Sequence, residues 1–256
     1  MINTPQRDNR NKIVILNPKG GCGKSTLATN IAACYARRGT APALMDFDPQ
    51  ASTMAWLDRR DSNLPEIHGI AAYRKNMQAT RSWQLRVPND TLNLIVDSAA
   101  GLSHDNLREL TRDSTSILVP VLPSPMDIHA ASRCIADLLL VAKVNRNDRK
   151  LAVVANRTRK NTKSFARLMR FLDSLGIPII AVLRDSQNFV HAAEQGIGIH
   201  EMQPSRVRPD VEQVDRIVKW LDGWEERRRR ALEISSRAKR PVLGAAALAK
   251  PQLDSA

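Results

Sequence analysis

One short stretch near the start of the chain restricts its architecture more than anything else in it. A β-branched run, Ile13–Leu16, ends at Asn17-Pro18-Lys19-Gly20-Gly21-Cys22-Gly23-Lys24-Ser25-Thr26, and a helical pattern then runs from Lys24 to Arg38 and stops at Gly39. A strand, a glycine-rich loop and a helix in immediate succession form the opening unit of a parallel α/β sheet. Gly23-Lys24-Ser25 matches the end of the phosphate-binding consensus G-x-x-x-x-G-K-[ST], with Pro18 in place of the first glycine, extra glycines at Gly20 and Gly21, and an additional lysine, Lys19. Glycines let the backbone curl until its N–H groups face phosphate oxygens, and the following helix offers its positive end to the same anion. Lys24 is placed to neutralise phosphate charge, Ser25 to put its hydroxyl on Mg²⁺, and Thr26 to reach the next phosphate inward. A dinucleotide fingerprint is excluded, because Thr26 stands where its third glycine would sit.

The remainder of the chain repeats the strand-then-helix alternation. Apolar runs at Ala43–Met45, Leu92–Val96, Ile117–Val121, Leu151–Ala155 and Pro178–Leu183 predict strands, and helical patterns lie near 50–59, 104–112, 127–143, 162–174, 187–195 and from Val211 to about Ile234. Nearly continuous apolar strands are those with both faces covered. The expected fold is therefore α/β, a doubly wound, mostly parallel sheet with helices on both faces. Polar residues cluster just after the strands, at the edge where open α/β sheets bind ligands.

Three of those strand ends carry candidate chemistry. Asp46 and Asp48, two positions apart, share a face and can bind a metal or orient water beside a nucleotide. Asp97 ends the apolar strand Leu94-Ile95-Val96 and can hold Mg²⁺ directly or through water. Asn156 and Arg157 close the Leu151 strand. Asp127 and His129 follow a proline-rich loop with no serine or cysteine nucleophile in a recognisable pattern beside them, and His129 reads as structural.

Lys19-Gly-Gly-x-Gly-Lys-Ser-Thr resembles the phosphate loop of the ParA/MinD family of ATPases. Asp46-Phe47-Asp48-Pro49-Gln50 is similar to that family's D-x-D-P-Q segment, and Pro123 to Asp127 to its P-x-x-x-D segment. The resemblance covers roughly residues 12–222, its motifs in the family's order. It implies that ATP and Mg²⁺ are bound by Lys19 and Gly20 through Thr26, with Asn156 and Arg184 at the adenine end. It also implies that Lys19 reaches across an ATP-dependent homodimer, that Asp48 orients the attacking water, and that Asp46 supports a metal site containing Ser25, Asp48 and Asp97. Two departures stand out: Ser98-Ala99-Ala100 replaces the prolines usual after the Asp97 position, and Leu183 replaces a proline before Arg184.

The charge is +13, from 39 Lys+Arg against 26 Asp+Glu, and it is localised. Residues 143–170 carry +9 and residues 223–256 carry +4, which leaves the rest of the chain balanced. Lys160, Lys163, Arg167 and Arg170 recur at helical spacing and suit contacts to a phosphate backbone without base readout. Aromatic residues make up only 4% of the chain, which argues against base stacking on single strands. The resemblance adds Arg184, Arg206, Arg208, Arg216 and Lys219 as candidates for non-specific double-stranded DNA, and a ParB-like or cargo-adaptor protein that stimulates hydrolysis. The implied cargo is a plasmid, a chromosome region, a carboxysome or another large assembly. A MinD-like membrane-surface ATPase fits less well, because the residues from Ser235 onward contain no aromatic anchor and are broken by Pro241 and Pro251. A metabolic enzyme on the same scaffold would need a second substrate pocket, and an iron–sulfur form paired cysteines. The three cysteines, Cys22, Cys34 and Cys134, form no disulfide framework and suggest a reduced, cytoplasmic protein, and the resemblance implies association with the nucleoid. The expected organisation is an extension over 1–11, the ATPase domain over 12–234, and a basic, disordered tail over 235–256.

Overall fold

The computed structural model describes residues 10–74 and 85–238. Within them, seven strands form one sheet in the order β3-β2-β4-β1-β5-β6-β7. They are β1 (Asn11–Ile15), β2 (Ala43–Asp46), β3 (His68–Ala71), β4 (Asn93–Asp97), β5 (Ser116–Val121), β6 (Leu151–Thr158) and β7 (Ile179–Arg184). Every pairing is parallel. The helices are α1 (Lys24–Arg37), α2 (Ser52–Leu57), α3 (His104–Thr111), α4 (Pro125–Leu140), α5 (Lys163–Ser174), α6 (Gln187–Glu194), α7 (Pro204–Asp222) and α8 (Trp224–Ala238). Among the described residues no helix is long and apolar enough to cross a membrane.

Alternation along β1 sorts its side chains into two cores. Ile13 and Ile15 join α1 and α7 on one face, while Val14 and Leu16 join α3, α4 and α5 on the other. Leu168 and Leu172 of α5 are fully buried, each worth roughly 2–3 kcal/mol of apolar transfer. The doubly wound parallel sheet expected from the sequence is thus present, with helices on both faces.

The structure differs from the sequence reading at three places. An extra edge strand, β3, pairs with β2; its sequence His-Gly-Ile-Ala contains no apolar run to reveal it. The single helix expected from Val211 to Ile234 is two helices separated at Gly223. The first begins seven residues earlier, at Pro204, because a proline at the start of a helix needs no N–H partner. Residues 235–238 of the expected tail continue α8, and β1 begins at Asn11; the rest of the tail and of the N-terminal extension lies outside the described residues.

The order of strands fixes where a ligand binds. β1 lies between β4 and β5, so the chain leaves the sheet in opposite directions from neighbouring strands. The crevice at the carboxyl ends of such strands is the usual ligand site of an open α/β sheet.

Candidate nucleotide site

The loop between β1 and α1 lies in that crevice. Gly21 and Gly23 have φ of 75° and 97°, in the left-handed region that side-chain-bearing residues rarely adopt. Gly23 stands at the N-cap of α1 without a capping side chain, and the first turn of α1 holds no acid. Helices α3, α4, α5 and α6, in contrast, are each capped by a hydroxyl, from Ser103, Ser124, Thr162 and Ser186. The first amides of α1 therefore keep their donors for an external anion.

Two adjoining clefts share Gly21, Gly23 and Thr26. One, of about 530 Å³, is lined also by Gly20, Lys24, Ser25, Asp48, Gln50 and Ala99. The other, of about 490 Å³, is lined also by Asn156, Arg184, Ser186, Gln187 and Phe189. A polar phosphate half and a partly apolar half with an aromatic ring suit the two ends of a nucleotide. Cys22, buried within the loop, offers its carbonyl to the Asn156 side chain at 2.8 Å. A β-bulge after Ala155 and a left-handed Arg157 (φ 48°) end the regular pairing of β6 here, and bulges of this kind re-aim side chains. A Cβ at Gly23 would lie 2.1 Å from the Asn156 amide nitrogen, so this glycine is required on steric grounds as well.

The two lysines differ in environment. Lys24 is buried, and its ammonium lies 3.4 Å from the Lys19 carbonyl, folded back over the loop. Lys19 is about one-third exposed, with its ammonium 2.5 Å from Asp127 Oδ2. Asp127 is almost fully buried, also accepts from Ser124, and leaves its other oxygen without a partner. Sequence reasoning did not assign Asp127 to the site. The P-x-x-x-D pattern was its signal, but the pairing spans 108 residues and is visible only in the fold.

The carboxylates fall into distinct environments. Asp46 is fully buried with both oxygens engaged: Oδ1 accepts from the Asp48 amide at 2.8 Å, Oδ2 from Thr53 Oγ1 at 2.6 Å and the Thr53 amide at 3.2 Å. It holds the following turn, and with it Asp48, whose half-buried carboxylate lines the phosphate cleft. Asp97 is fully buried with neither oxygen hydrogen-bonded. Burial pushes its carboxyl up to about 7; the Ser25 hydroxyl and the Lys24 charge pull it down, while Asp46 and Asp48 add to the rise. An unpartnered buried carboxylate beside a serine hydroxyl is a donor set that a hard divalent cation such as Mg²⁺ fits.

Arg184, at the end of β7, lines the base half of the cleft, but its guanidinium is held by the buried Asp210 in two bonds of 2.6 and 2.8 Å. Asp210 also accepts from Asn188 and Ser186, which ties α6 to α7.

The basic candidates do not form one surface. Lys160, Lys163, Arg167 and Arg170 are exposed and belong to the α5 side of the sheet. Arg206, Arg208, Arg216 and Lys219 are exposed on α7, across the sheet. Arg208 is paired with Glu212 at 3.3 Å. Arg157 and Arg159, which the sequence reading left out as binding residues, both pair with Asp185 at the end of β7.

A family model described as the CobQ/CobB/MinD/ParA nucleotide binding domain matches residues 13–199. The chain is 27% identical over 211 residues to Maintenance of carboxysome distribution protein A of Halothiobacillus neapolitanus, covering 80% of this chain and 94% of that one. It is similar in structure to apo McdA of Cyanothece, with a TM-score of 0.63 at 15% identity over 85% of this chain and 99% of that one. MinD in the MinC:MinD complex of Aquifex aeolicus also gives a TM-score of 0.63, at 20% identity over 82% of this chain and 96% of that one. The two structural likenesses concern the fold.

Proposed function

Because the chain belongs to the CobQ/CobB/MinD/ParA nucleotide-binding family, we propose that it is a ParA-type positioning ATPase, an ATP-driven dimer that distributes a large cargo over DNA. The observation that carries this reading is the second lysine on the phosphate loop. Lys24 alone serves phosphate binding within one chain; Lys19, partly exposed and held by a single ion pair, is free to exchange that partner for the nucleotide of a second copy. The carboxysome protein among its relatives favours a cargo of that kind.

In this reading ATP lies along the two clefts, its phosphates on the loop amides and its base against Phe189 and Asn156. Bound Mg²⁺, held by Ser25 and Asp97, would neutralise phosphate charge. Lys24 stabilises the developing negative charge on the leaving phosphates, Asp48 orients a water toward the terminal phosphate, and Asp46 keeps the Asp48 turn in place. Lys19 completes each site from the opposite protomer, so hydrolysis is confined to the dimer. A stimulating partner protein acts on that dimer, and the basic faces of α5 and α7 bind duplex phosphates non-specifically.

The test is duplex-DNA binding with ATP, with ADP and without nucleotide across a salt series, beside a Lys19→Ala variant. Tight, salt-sensitive binding with ATP alone, lost in the variant, is the expected result. Nucleotide-independent binding would leave a basic ATPase without the switch. Absence of DNA binding, with binding to anionic vesicles instead, would overturn the DNA reading.

A further inference from the structure

On the α1–α7 side of the sheet, three side chains of different chemistry converge without serving the nucleotide cleft. Cys34 lies near the end of α1, His200 in the one-turn helix Ile199–Glu201, and Asp215 in the middle of α7. One sulfur, one imidazole nitrogen and one carboxylate oxygen lie within 4.8 Å of one another. We infer that Cys34, His200 and Asp215 form a binding site for a zinc-class transition-metal ion, which would fasten α1 to α7.

The distances suit such an ion. His200 Nε2 is 3.7 Å from Cys34 Sγ and 3.0 Å from Asp215 Oδ1. With usual zinc bond lengths, a tetrahedral site places sulfur and nitrogen roughly 3.6 Å apart and nitrogen and oxygen roughly 3.3 Å apart. A hydrolytic triad is excluded, because the same ring nitrogen faces both the thiol and the carboxylate, whereas a relay needs one nitrogen for each. The other nitrogen, Nδ1, is buried without a partner.

The surroundings allow a cation to enter. Cys34 is almost fully buried and His200 largely so, while Asp215 is half exposed and opens the site to solvent. Arg38 is the competing cation, 3.6 Å from Asp215 Oδ1. It also binds Asp222 at 3.0 Å, and Tyr35 donates to the same Asp222, so Asp215 can turn to a metal without stranding the guanidinium. On binding, the metal replaces the thiol proton, one proton is released to solvent, and the thiolate sulfur becomes the ligand. Thiolate, imidazole and carboxylate together favour Zn²⁺ or Co²⁺ over Mg²⁺.

Co²⁺ reports such a site directly, by a thiolate-to-cobalt charge-transfer band in the near ultraviolet and intense visible bands when the geometry is tetrahedral. Untagged, chelator-stripped full-length protein titrated with Co²⁺ should develop both, and Zn²⁺ should bleach them in a one-to-one exchange. Cys34→Ser should abolish the charge-transfer band, and Asp215→Asn, at a half-exposed position, should weaken Co²⁺ affinity at least tenfold. Should Cys34→Ser fail to fold, Asp215→Asn decides the outcome. No band on adding Co²⁺, a band that survives Cys34→Ser, or an unchanged affinity in Asp215→Asn would each overturn the assignment. The readout is spectroscopic, so it is separate from ATP hydrolysis and DNA binding.

Discussion

Replacing Asp127 with Asn should tighten ATP-dependent dimerisation. The Lys19 ammonium sits 2.5 Å from the Asp127 carboxylate within its own chain, and it cannot hold that contact while reaching a nucleotide in a second copy. A hydrogen bond between charged groups contributes about 1.5–3 kcal/mol when sheltered. Lys19 is 35% exposed, so solvent screening reduces the figure to about 1 kcal/mol. In the proposed ATP dimer two such pairs are surrendered, which would oppose assembly by about 2 kcal/mol, or about thirtyfold in the dimer dissociation constant. Asn keeps the shape of Asp127 and an acceptor for Ser124, but removes the charge that detains Lys19. Sedimentation equilibrium in a non-hydrolysable ATP analogue measures the constant for both proteins. A tightening of roughly ten- to fiftyfold follows from these figures, with nucleotide affinity of the monomer unchanged. A constant that stays within threefold of the parent, or rises, would show that the pair does not oppose assembly and refute the reasoning.

Three further outcomes are open to measurement. Gly23→Ala should lose ATP binding about a hundredfold or more by fluorescence titration, and Asn156→Ala in the same chain should restore only part of it, because the truncation relieves the 2.1 Å clash but not the φ of 97°. Burial pushes the Asp210 carboxyl up, but bonds from Arg184, Asn188 and Ser186 outweigh it and hold the pKa below 3.8. Its contribution is then fully present above that value and disappears as the pH falls through the lowered one, so in thermal melts Asp210→Asn should flatten the acid limb of the stability curve while lowering the plateau near neutrality. Arg167→Glu with Arg170→Glu, both exposed on α5, should reduce the salt slope of duplex-DNA binding by about two per protomer, about four for the proposed dimer, without changing nucleotide affinity; an unchanged slope would move the DNA surface to the α7 side.

The legible parts of this molecule are those written in neighbouring residues. The phosphate loop is a local pattern, and the strands with both faces buried announce themselves as apolar runs. β3 escapes because an edge strand four residues long, with His68 and Gly69 exposed, needs no apolar pattern. The Gly223 break escapes because apolar periodicity continues across it through Leu221 and Trp224, both buried. At the site, sequence places Asp46 and Asp48 together but cannot show that the oxygens of the first are already engaged by Thr53 and the Asp48 amide. Arg184 looks like a free cation until Asp210, 26 residues later, is folded against it. The basic residues at helical spacing are real surface features, but only the sheet reveals that they lie on two opposite sides.

The strand order also sets a timetable for synthesis. Among the described strands β1 is the first to be made, yet its neighbours are β4 and β5, and Ile13 pairs with Ser116 roughly a hundred residues later. At about 5–20 residues per second, the middle strand waits on the order of 5–20 s with both edges open. β2 and β3 can pair with each other in the meantime, but neither pairs with β1. Asn156, whose side chain donates to the Cys22 carbonyl of the phosphate loop, emerges later still, so that support for the loop is missing from the early nascent chain. The unpaired β-branched strand that carries the phosphate loop is consequently an open template for aggregation during that interval, and truncated products ending before β5 should be the aggregation-prone ones.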